Sequence, residues 1–135
     1  MQRTLDISTS GLVAQRHRLD TIAGNIAHAN TTLDADGNVA PYQRRLITFM
    51  ADEANGKSRG AGVKHRVELD AETPFRSVYD PSHPHADKQG IVKYPNVDII
   101  TEFSDALLAT RAYEANIAVI DMTRQMAEQS MQILV

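Results

Sequence analysis

The sequence contains no cysteine and no tryptophan, and aromatic residues make up only 5% of it. The absence of cysteine excludes disulfide bonds, thiolate catalysis and cysteine-based zinc sites, although it does not fix the redox compartment. Alanine supplies much of the 42% hydrophobic content. A chain of 135 residues with so few large apolar side chains has the material for one small core at most.

The chain also lacks a long apolar run and an excess of positive charge. Its longest uninterrupted apolar stretch near the C-terminus is Ile117 to Ile120, far short of the roughly 20 residues that span a bilayer, so no membrane span is predicted. The net charge is -3, from 14 basic and 17 acidic residues, which argues against nucleic-acid binding. The first residues lack the apolar region of a cleavable signal peptide, so any export is expected to use another route.

An apolar repeat near the N-terminus predicts a helix. Apolar residues recur there at helical spacing, several of them seven residues apart: Leu5, Leu12, Leu19, Ile22, Ile26 and Ala29. This is the narrow stripe of a helix that pairs with another helix. Ser8 and Gln15 interrupt the stripe, and Gly11 and Gly24 each cost roughly 1 kcal/mol relative to alanine. The helix is therefore expected to be marginal in isolation.

A second repeat predicts a longer helix after Pro95, where Asn96 can cap the helix or an extended lead-in. One row of the repeat has a period of seven residues: Ile99, Ala106, Tyr113, Ile120, Ala127 and Leu134. The other side of the seam is assigned to Phe103, Ile117 and Met131. A helix of about 35 residues would be about 50 Å long. It could pack across its own domain, but the centre of the chain has too few large apolar residues to cover it, so partner helices are the better explanation.

Asn116 lies beside this second seam. Its amide has two donors and an acceptor, so an enclosed Asn116 could fix the register between paired helices, as a seam asparagine does in coiled coils. The alternative is an asparagine that faces solvent beside the seam.

The centre of the chain, from Gly37 to Pro95, is predicted to contain loops and short strands. The clearest strand is Val63 to Leu69, where apolar and charged residues alternate. Tyr42 to Met50 and Phe75 to Tyr79 are further candidates, and the turn-forming residues from Asp52 to Gly60 suggest a mobile loop. The predicted fold is α+β, with long N- and C-terminal helices paired as a coiled-coil-like bundle around a small β-rich region. The segments are 1–30 and 96–135 for the assembly helices and 31–95 for the centre.

Two polar clusters were considered as metal sites. His83 and His85 lie in a short loop with Asp80 and Asp87, but a loop fixed by histidine hydrogen bonds is the more common outcome. The segment 34–38 resembles part of a calcium loop, yet the charged ligands at two of the required positions are missing, so it is interpreted as an Asp-Gly turn. No metal and no cofactor is predicted.

Catalytic motifs are missing from the sequence. It contains no Gly-x-Ser-x-Gly, no phosphate-binding glycine-rich loop and no His-Glu-x-x-His. His65 falls on the apolar face of its predicted strand and is interpreted as a partly buried structural histidine. The chain is therefore predicted not to be an enzyme.

Four motifs, in order along the chain, carry a resemblance to a known family. They are Asn25 to Thr31, Pro74 to Pro84, Gly90 to Asp98 and Arg111 to Asn116. The first resembles the asparagine-rich signature that closes the N-terminal helix of flagellar rod, hook and related axial proteins, where Asn30 can adopt the left-handed conformation that ends a helix. The other three are similar to the pattern of the proximal-rod subunits of this family. The resemblance covers nearly the whole chain.

The resemblance implies a structural subunit of the proximal rod of the bacterial flagellar basal body. Such a subunit would be exported by the flagellar type III apparatus without a cleaved signal peptide. It would assemble with copies of itself and with other proximal-rod and distal-rod proteins into a torque-transmitting drive shaft across the periplasm. No nucleic acid and no small-molecule substrate is implied.

The two apolar repeats and the motif residues together define the predicted assembly interface. On the N-terminal helix it comprises Leu5, Leu12, Leu19, Ile22, Ile26 and Asn30. On the C-terminal helix it comprises Ile99, Phe103, Ala106, Tyr113, Asn116, Ile117, Ile120, Ala127, Met131 and Leu134. Two other functions stay open on the sequence alone: a helical adaptor or regulatory module that binds a partner helix, and a metal-dependent enzyme.

Overall fold

Two long helices flank four short strands in the computed structural model, which describes residues 2–52 and 62–133. The elements, in chain order, are α1 (Gln2–Ala27), β1 (Arg45–Ala51), β2 (Val63–Leu69), β3 (Arg76–Tyr79), β4 (Ile91–Tyr94) and α2 (Ile99–Ile133). This arrangement confirms the predicted α+β fold.

The strands form two small sheets, β1 with β2 and β3 with β4. β2 has the predicted bounds, and β1 and β3 overlap the other two predicted strands. β4 was not predicted as a strand. Apart from Asp52, the loop predicted from Asp52 to Gly60 lies outside the described residues.

α2 begins at Ile99 and its cap is Asp98, whereas Asn96 lies in the lead-in before the helix, the second of its two predicted positions. The Asp98 carboxylate accepts hydrogen bonds from the N–H of Ile100 at 3.1 Å and from the hydroxyl of Thr101 at 2.7 Å. These bonds satisfy an otherwise unpaired N–H of the first turn. They also lower the pKa of Asp98, the Thr101 hydroxyl having the largest effect. Asn and Asp cap helices about equally well, so residue type alone does not distinguish Asn96 from Asp98 as the cap.

β3 and β4 are antiparallel and pair Arg76 with Tyr94 and Tyr79 with Ile91. The connection between them turns at Gly90, whose φ of 76° lies in the left-handed region. A Cβ atom there would come within 3.0 Å of the Tyr79 ring. Glycine is therefore required by both the backbone conformation and the close approach.

Carboxylates fix both ends of this connection. Asp80 accepts from the hydroxyl of Ser82 at 2.6 Å, and Asp87 accepts from the N–H of Ile91 at 2.9 Å. The Ser82 hydroxyl is the main cause of a lowered pKa at Asp80, and the Ile91 N–H is the main cause at Asp87. Both groups are therefore held as carboxylates by the turn that they close.

Two further aspartates act in the same way. Asp34 accepts from the N–H of Asn38 at 2.9 Å, which lowers its pKa and closes the turn at Gly37. This confirms the predicted Asp-Gly turn. Asp70 accepts from the Thr73 hydroxyl at 2.5 Å and from the Thr73 N–H at 3.0 Å, and the hydroxyl has the largest lowering effect on the Asp70 pKa.

The chain divides into two compact units. The first contains the described residues of Met1–Asp20, Ile47–Arg66 and Ala106–Val135, and the second contains Thr21–Leu46 and Val67–Asp105. Each unit therefore takes residues from all three predicted segments, and the division of those segments by assembly role stays a prediction.

Polar side chains occupy the centre of the second unit. The largest fully buried side chains of the described residues are Glu102, Val92, Asn25 and Pro95, all of them in this unit. Two of the four are polar. Hydrogen bonds and charge therefore hold this unit together beside apolar burial, and their partners must be accounted for.

In the second unit, the buried carboxylate of Glu102 forms an ion pair with the half-buried Arg44. Glu102 is 1% exposed, and its Oε1 accepts from both Nε and Nη2 of Arg44 at 2.7 Å. Its Oε2 accepts from Asn25 Nδ2 at 3.3 Å. Both oxygens of the carboxylate thus have donors, which a buried charge requires.

The Asn25 amide continues this network to the backbone. Its Nδ2 donates to the carbonyl of Arg45 at 2.9 Å, and its Oδ1 accepts from the Arg45 N–H at 2.9 Å. The Tyr42 hydroxyl also donates to Oδ1, at 3.2 Å. Because Asn25 presents a donor and an acceptor side by side, it pairs with Arg45 as a neighbouring strand would. We call Asn25, Tyr42, Arg44, Arg45 and Glu102 the polar joint.

Replacing Arg44 with alanine should destabilise the chain by about 3–5 kcal/mol, because the Glu102 carboxylate, which is 1% exposed, would stay buried without its charged donor. The control is Glu128→Ala, which removes an exposed ion pair with Arg124 and should cost about 0.5 kcal/mol or less. Equilibrium unfolding in urea measures both. Equal losses in the two variants would contradict a central role for the polar joint.

Acid should destabilise the fold through five aspartates: Asp34, Asp70, Asp80, Asp87 and Asp98. The pKa of each is lowered below the ordinary 3.8, so the unfolded state binds protons more readily than the folded state. The stability that they contribute is complete above the ordinary pKa and is lost as the pH falls through the folded values.

The free energy of unfolding should therefore decline below about pH 4, and Asp70→Asn should reduce the steepness of that decline. An NMR titration of the Asp70 carboxyl carbon gives an independent check. A midpoint at or above 3.8 would show that the Thr73 hydrogen bonds do not hold the carboxylate.

Candidate functional site

The first unit brings α1 and α2 together at Gly11 and Asn116. A Cβ atom built on Gly11 would lie 3.2 Å from Asn116 Nδ2, so the absence of a side chain makes room for the amide. The glycine that weakens α1 as an isolated helix therefore permits a close contact between helices. Asn116 is half-buried here, and its predicted role in the register between subunits stays a prediction.

The covered face of α2 in this unit has the spacing of a coiled-coil seam. Its members are buried or half-buried and alternate spacings of three and four residues: Ala106, Ala109, Tyr113, Asn116, Ile120, Thr123 and Ala127. We call this set the inner stripe. Most of its side chains are small or polar, so the packing inside the unit covers few of the large apolar side chains of the helix.

A second seam-like face of α2 is left uncovered. Leu108, Met122 and Met126 are 62%, 61% and 63% exposed. They belong to a row with spacings of seven, four, three and four residues, which we call the outer stripe: Leu108, Ala115, Val119, Met122 and Met126. No charged residue lies in this row. Soluble monomers rarely expose continuous apolar patches of this kind unless the patch is a binding surface.

The predicted interface residues of α1 are covered to different degrees. Ile22 is buried, whereas Leu5, Leu12, Leu19 and Ile26 are half-buried. Asn30 follows the end of the helix and is exposed. The half-buried leucines keep surface that a partner could cover.

The predicted interface residues of α2 fall into two groups. Five belong to the inner stripe and are half-buried: Ala106, Tyr113, Asn116, Ile120 and Ala127. Four are exposed large side chains: Ile99, Phe103, Ile117 and Met131. Leu134 lies outside the described residues. Their assignment to an interface between subunits stays a prediction.

The outer stripe was not predicted from the sequence. The signal was present, because Leu108, Val119, Met122 and Met126 follow one 3.5-residue repeat without a charge. The small Ala115 weakens the pattern. The clearer seven-residue row of Ala106 and Tyr113 was interpreted as the one seam of the helix, so a second seam was not sought.

Hydrogen bonds hold the two loop histidines. His83 Nδ1 accepts from the N–H of His85 at 3.1 Å, and His85 Nδ1 lies 2.8 Å from the hydroxyl of the buried Thr32. This confirms the expectation of a loop fixed by its histidines. Within residues 2–52 and 62–133, no three His, Asp or Glu side chains come together as a metal site would require.

His65 stacks on His17 in the first unit, with ring centroids 4.1 Å apart. It is half-buried, as the sequence predicted.

The described helices include none with the length and hydropathy of a membrane span.

Comparisons with known proteins assign a family to this architecture. The family model "Flagella basal body rod protein" matches residues 5–32, and the model "Flagellar basal body rod FlgEFG protein C-terminal" matches residues 88–133. The first match contains Asn25 of the polar joint, and the second contains Glu102 and both stripes of α2.

Full-length relatives carry the flagellar basal-body rod protein name FlgC. The protein from Salmonella typhimurium LT2 is 39% identical, and the alignment covers 90% of this chain and 88% of the relative. The protein from Bacillus subtilis 168 is 32% identical over 96% of this chain and 95% of the relative. The protein from Aquifex aeolicus VF5 is 35% identical over 95% and 92%. The chain therefore belongs to the FlgC family of flagellar basal-body rod proteins.

Proposed function

We propose that the chain is a structural subunit of the flagellar basal-body rod, in its proximal part, and that it assembles there with copies of itself and with other rod proteins. Family membership over nearly the whole chain supports the rod assignment. The observation that carries the assembly role is the uncovered outer stripe of α2. An uncharged seam that no described residue of its own chain covers is expected to pack against another chain.

The energetics favour assembly through this helix. Complete burial of a leucine or methionine side chain contributes roughly 1.5–3 kcal/mol, and Leu107, Leu108, Met122 and Met126 are each more than 60% exposed in the single chain. Most of the apolar burial available to α2 is therefore realised only against neighbouring subunits.

A rod subunit must also resist twisting if the rod is to transmit torque. The polar joint provides directional contacts for this purpose, since Glu102, Arg44 and Asn25 are linked by charge-assisted hydrogen bonds inside one unit. Such bonds depend on angle and distance, so they oppose small rotations more strongly than apolar contacts do.

A subunit of the rod has to lie beyond the cytoplasmic membrane, so we infer export by the flagellar type III apparatus. Specific neighbours in the proximal and distal rod belong to the same proposal.

Deletion of the gene should abolish basal-body rods and motility, and the wild-type gene should restore both.

Ile120→Asp should restore neither, although the variant is exported, because a carboxylate at the half-buried inner stripe costs several kcal/mol when helices pair. Immunoblots of purified basal bodies and of secreted protein, with swimming assays, measure the outcomes. Retention of the wild-type chain in the cytoplasm would favour a helical adaptor instead, and normal motility with Ile120→Asp would contradict assembly through paired helices.

Asn116→Leu should keep the helix, since leucine is the better helix former, but should yield misassembled or mechanically weak rods. The loss follows from removing the amide that lies against Gly11 and could fix the register. The control is Gln125→Leu, which makes a similar change at an exposed position of the same helix. Circular dichroism and electron microscopy of basal bodies compare the two, and intact rods with both variants would remove Asn116 from the interface.

A further inference from the structure

We propose that the outer stripe of α2 packs against α1 of a second copy of this chain, on the row formed by Leu5, Leu12 and Leu19. The inference rests on the proposed function and identifies the partner surface for self-assembly. The outer stripe comprises Leu108, Ala115, Val119, Met122 and Met126, as defined above.

The two rows match in repeat and length. Leu5, Leu12 and Leu19 are seven residues apart, and Leu108, Ala115 and Met122 have the same spacing. Each row extends about 21 Å along its helix at 1.5 Å per residue. Equal repeats allow knobs of one helix to meet holes of the other along the whole row.

The surfaces also match in shape and chemistry. The leucines of α1 are half-buried, so each keeps part of its side chain free for a partner. Ala115 leaves a gap between Leu108 and Met122 that a leucine can enter. Met122 and Met126 are unbranched and can adjust their rotamers to the leucines that they meet.

Charge selects α1 over another α2 as the partner. α1 carries three basic and two acidic residues, whereas α2, apart from the buried Glu102 that pairs with Arg44, carries two basic and four acidic residues. Two α2 helices side by side would repel each other, while α1 against α2 is attractive.

A contact between different surfaces of two copies is head-to-tail, so each added copy presents a free α1 row or a free outer stripe to the next. Such contacts produce rings or helical arrays rather than closed dimers. This is the geometry that a growing rod requires.

Disulfide cross-linking between two differently marked copies tests the proposal, and the absence of native cysteine removes the background. One tagged copy carries Leu5→Cys, Leu12→Cys or Leu19→Cys, and the untagged copy carries Met122→Cys. The matched control is Asp121→Cys, because neighbouring residues of a helix point about 100° apart. Both copies are expressed in one cell, and basal bodies are oxidised, purified and separated on non-reducing gels.

We expect at least one of the three α1 positions to cross-link to Met122→Cys about tenfold more than to Asp121→Cys, since a disulfide needs Cα atoms within about 7 Å. Equal cross-linking, a dominant product between two Met122→Cys copies, or a product with a different rod protein would each overturn the proposal. Rods that assemble without any of these cross-links would also overturn it, while leaving the proposed function intact. Absence of the chain from basal bodies would instead reject the proposed function.

Discussion

The buried carboxylate of Glu102 is the constraint on which the second unit depends. A charge at 1% exposure is tolerated only with donors on both oxygens, and Arg44 and Asn25 supply them. Asn25 is in turn fixed by the backbone of Arg45. Three parts of the chain that are distant in sequence must therefore be in place together before any one of them is satisfied. This explains how a unit with few large buried apolar side chains can still have one defined structure.

The first unit follows a different principle, because its helices meet through small and polar groups. Asn116 fits against α1 only because Gly11 has no side chain, and Ala109 is fully buried without contributing much apolar area. Leu108, Val119, Met122 and Met126 are exposed along the outer stripe. The two units therefore differ. The second unit has its defining polar contacts in its interior, whereas the first unit leaves the apolar side chains of the outer stripe exposed.

Elements with a strong local pattern could be predicted from the sequence. β2 was predicted with its bounds because its alternation is unbroken, and the helices were predicted because their repeats are long. β4 was missed, since Ile91 to Tyr94 is too short to show alternation and is defined by its pairing with β3. The polar joint was also beyond reach, because nothing local in Asn25 or Glu102 indicates that they meet across 77 positions of sequence. The outer stripe could have been found, had two seams been sought on one helix.

The inner stripe buries little apolar area, and this affects how the proposed assembly begins. A helix that gains little by folding within its own chain and much more by meeting another chain has a stability that depends on protein concentration. Assembly of such subunits has a threshold concentration. Below it the free chains persist. Above it, addition to an existing end is favourable, whereas the formation of a new end is rare. In the proposed assembly, the weak packing of Ala106, Ala109 and Ala127 would make the first contacts between free chains slow and addition to an existing end the faster route.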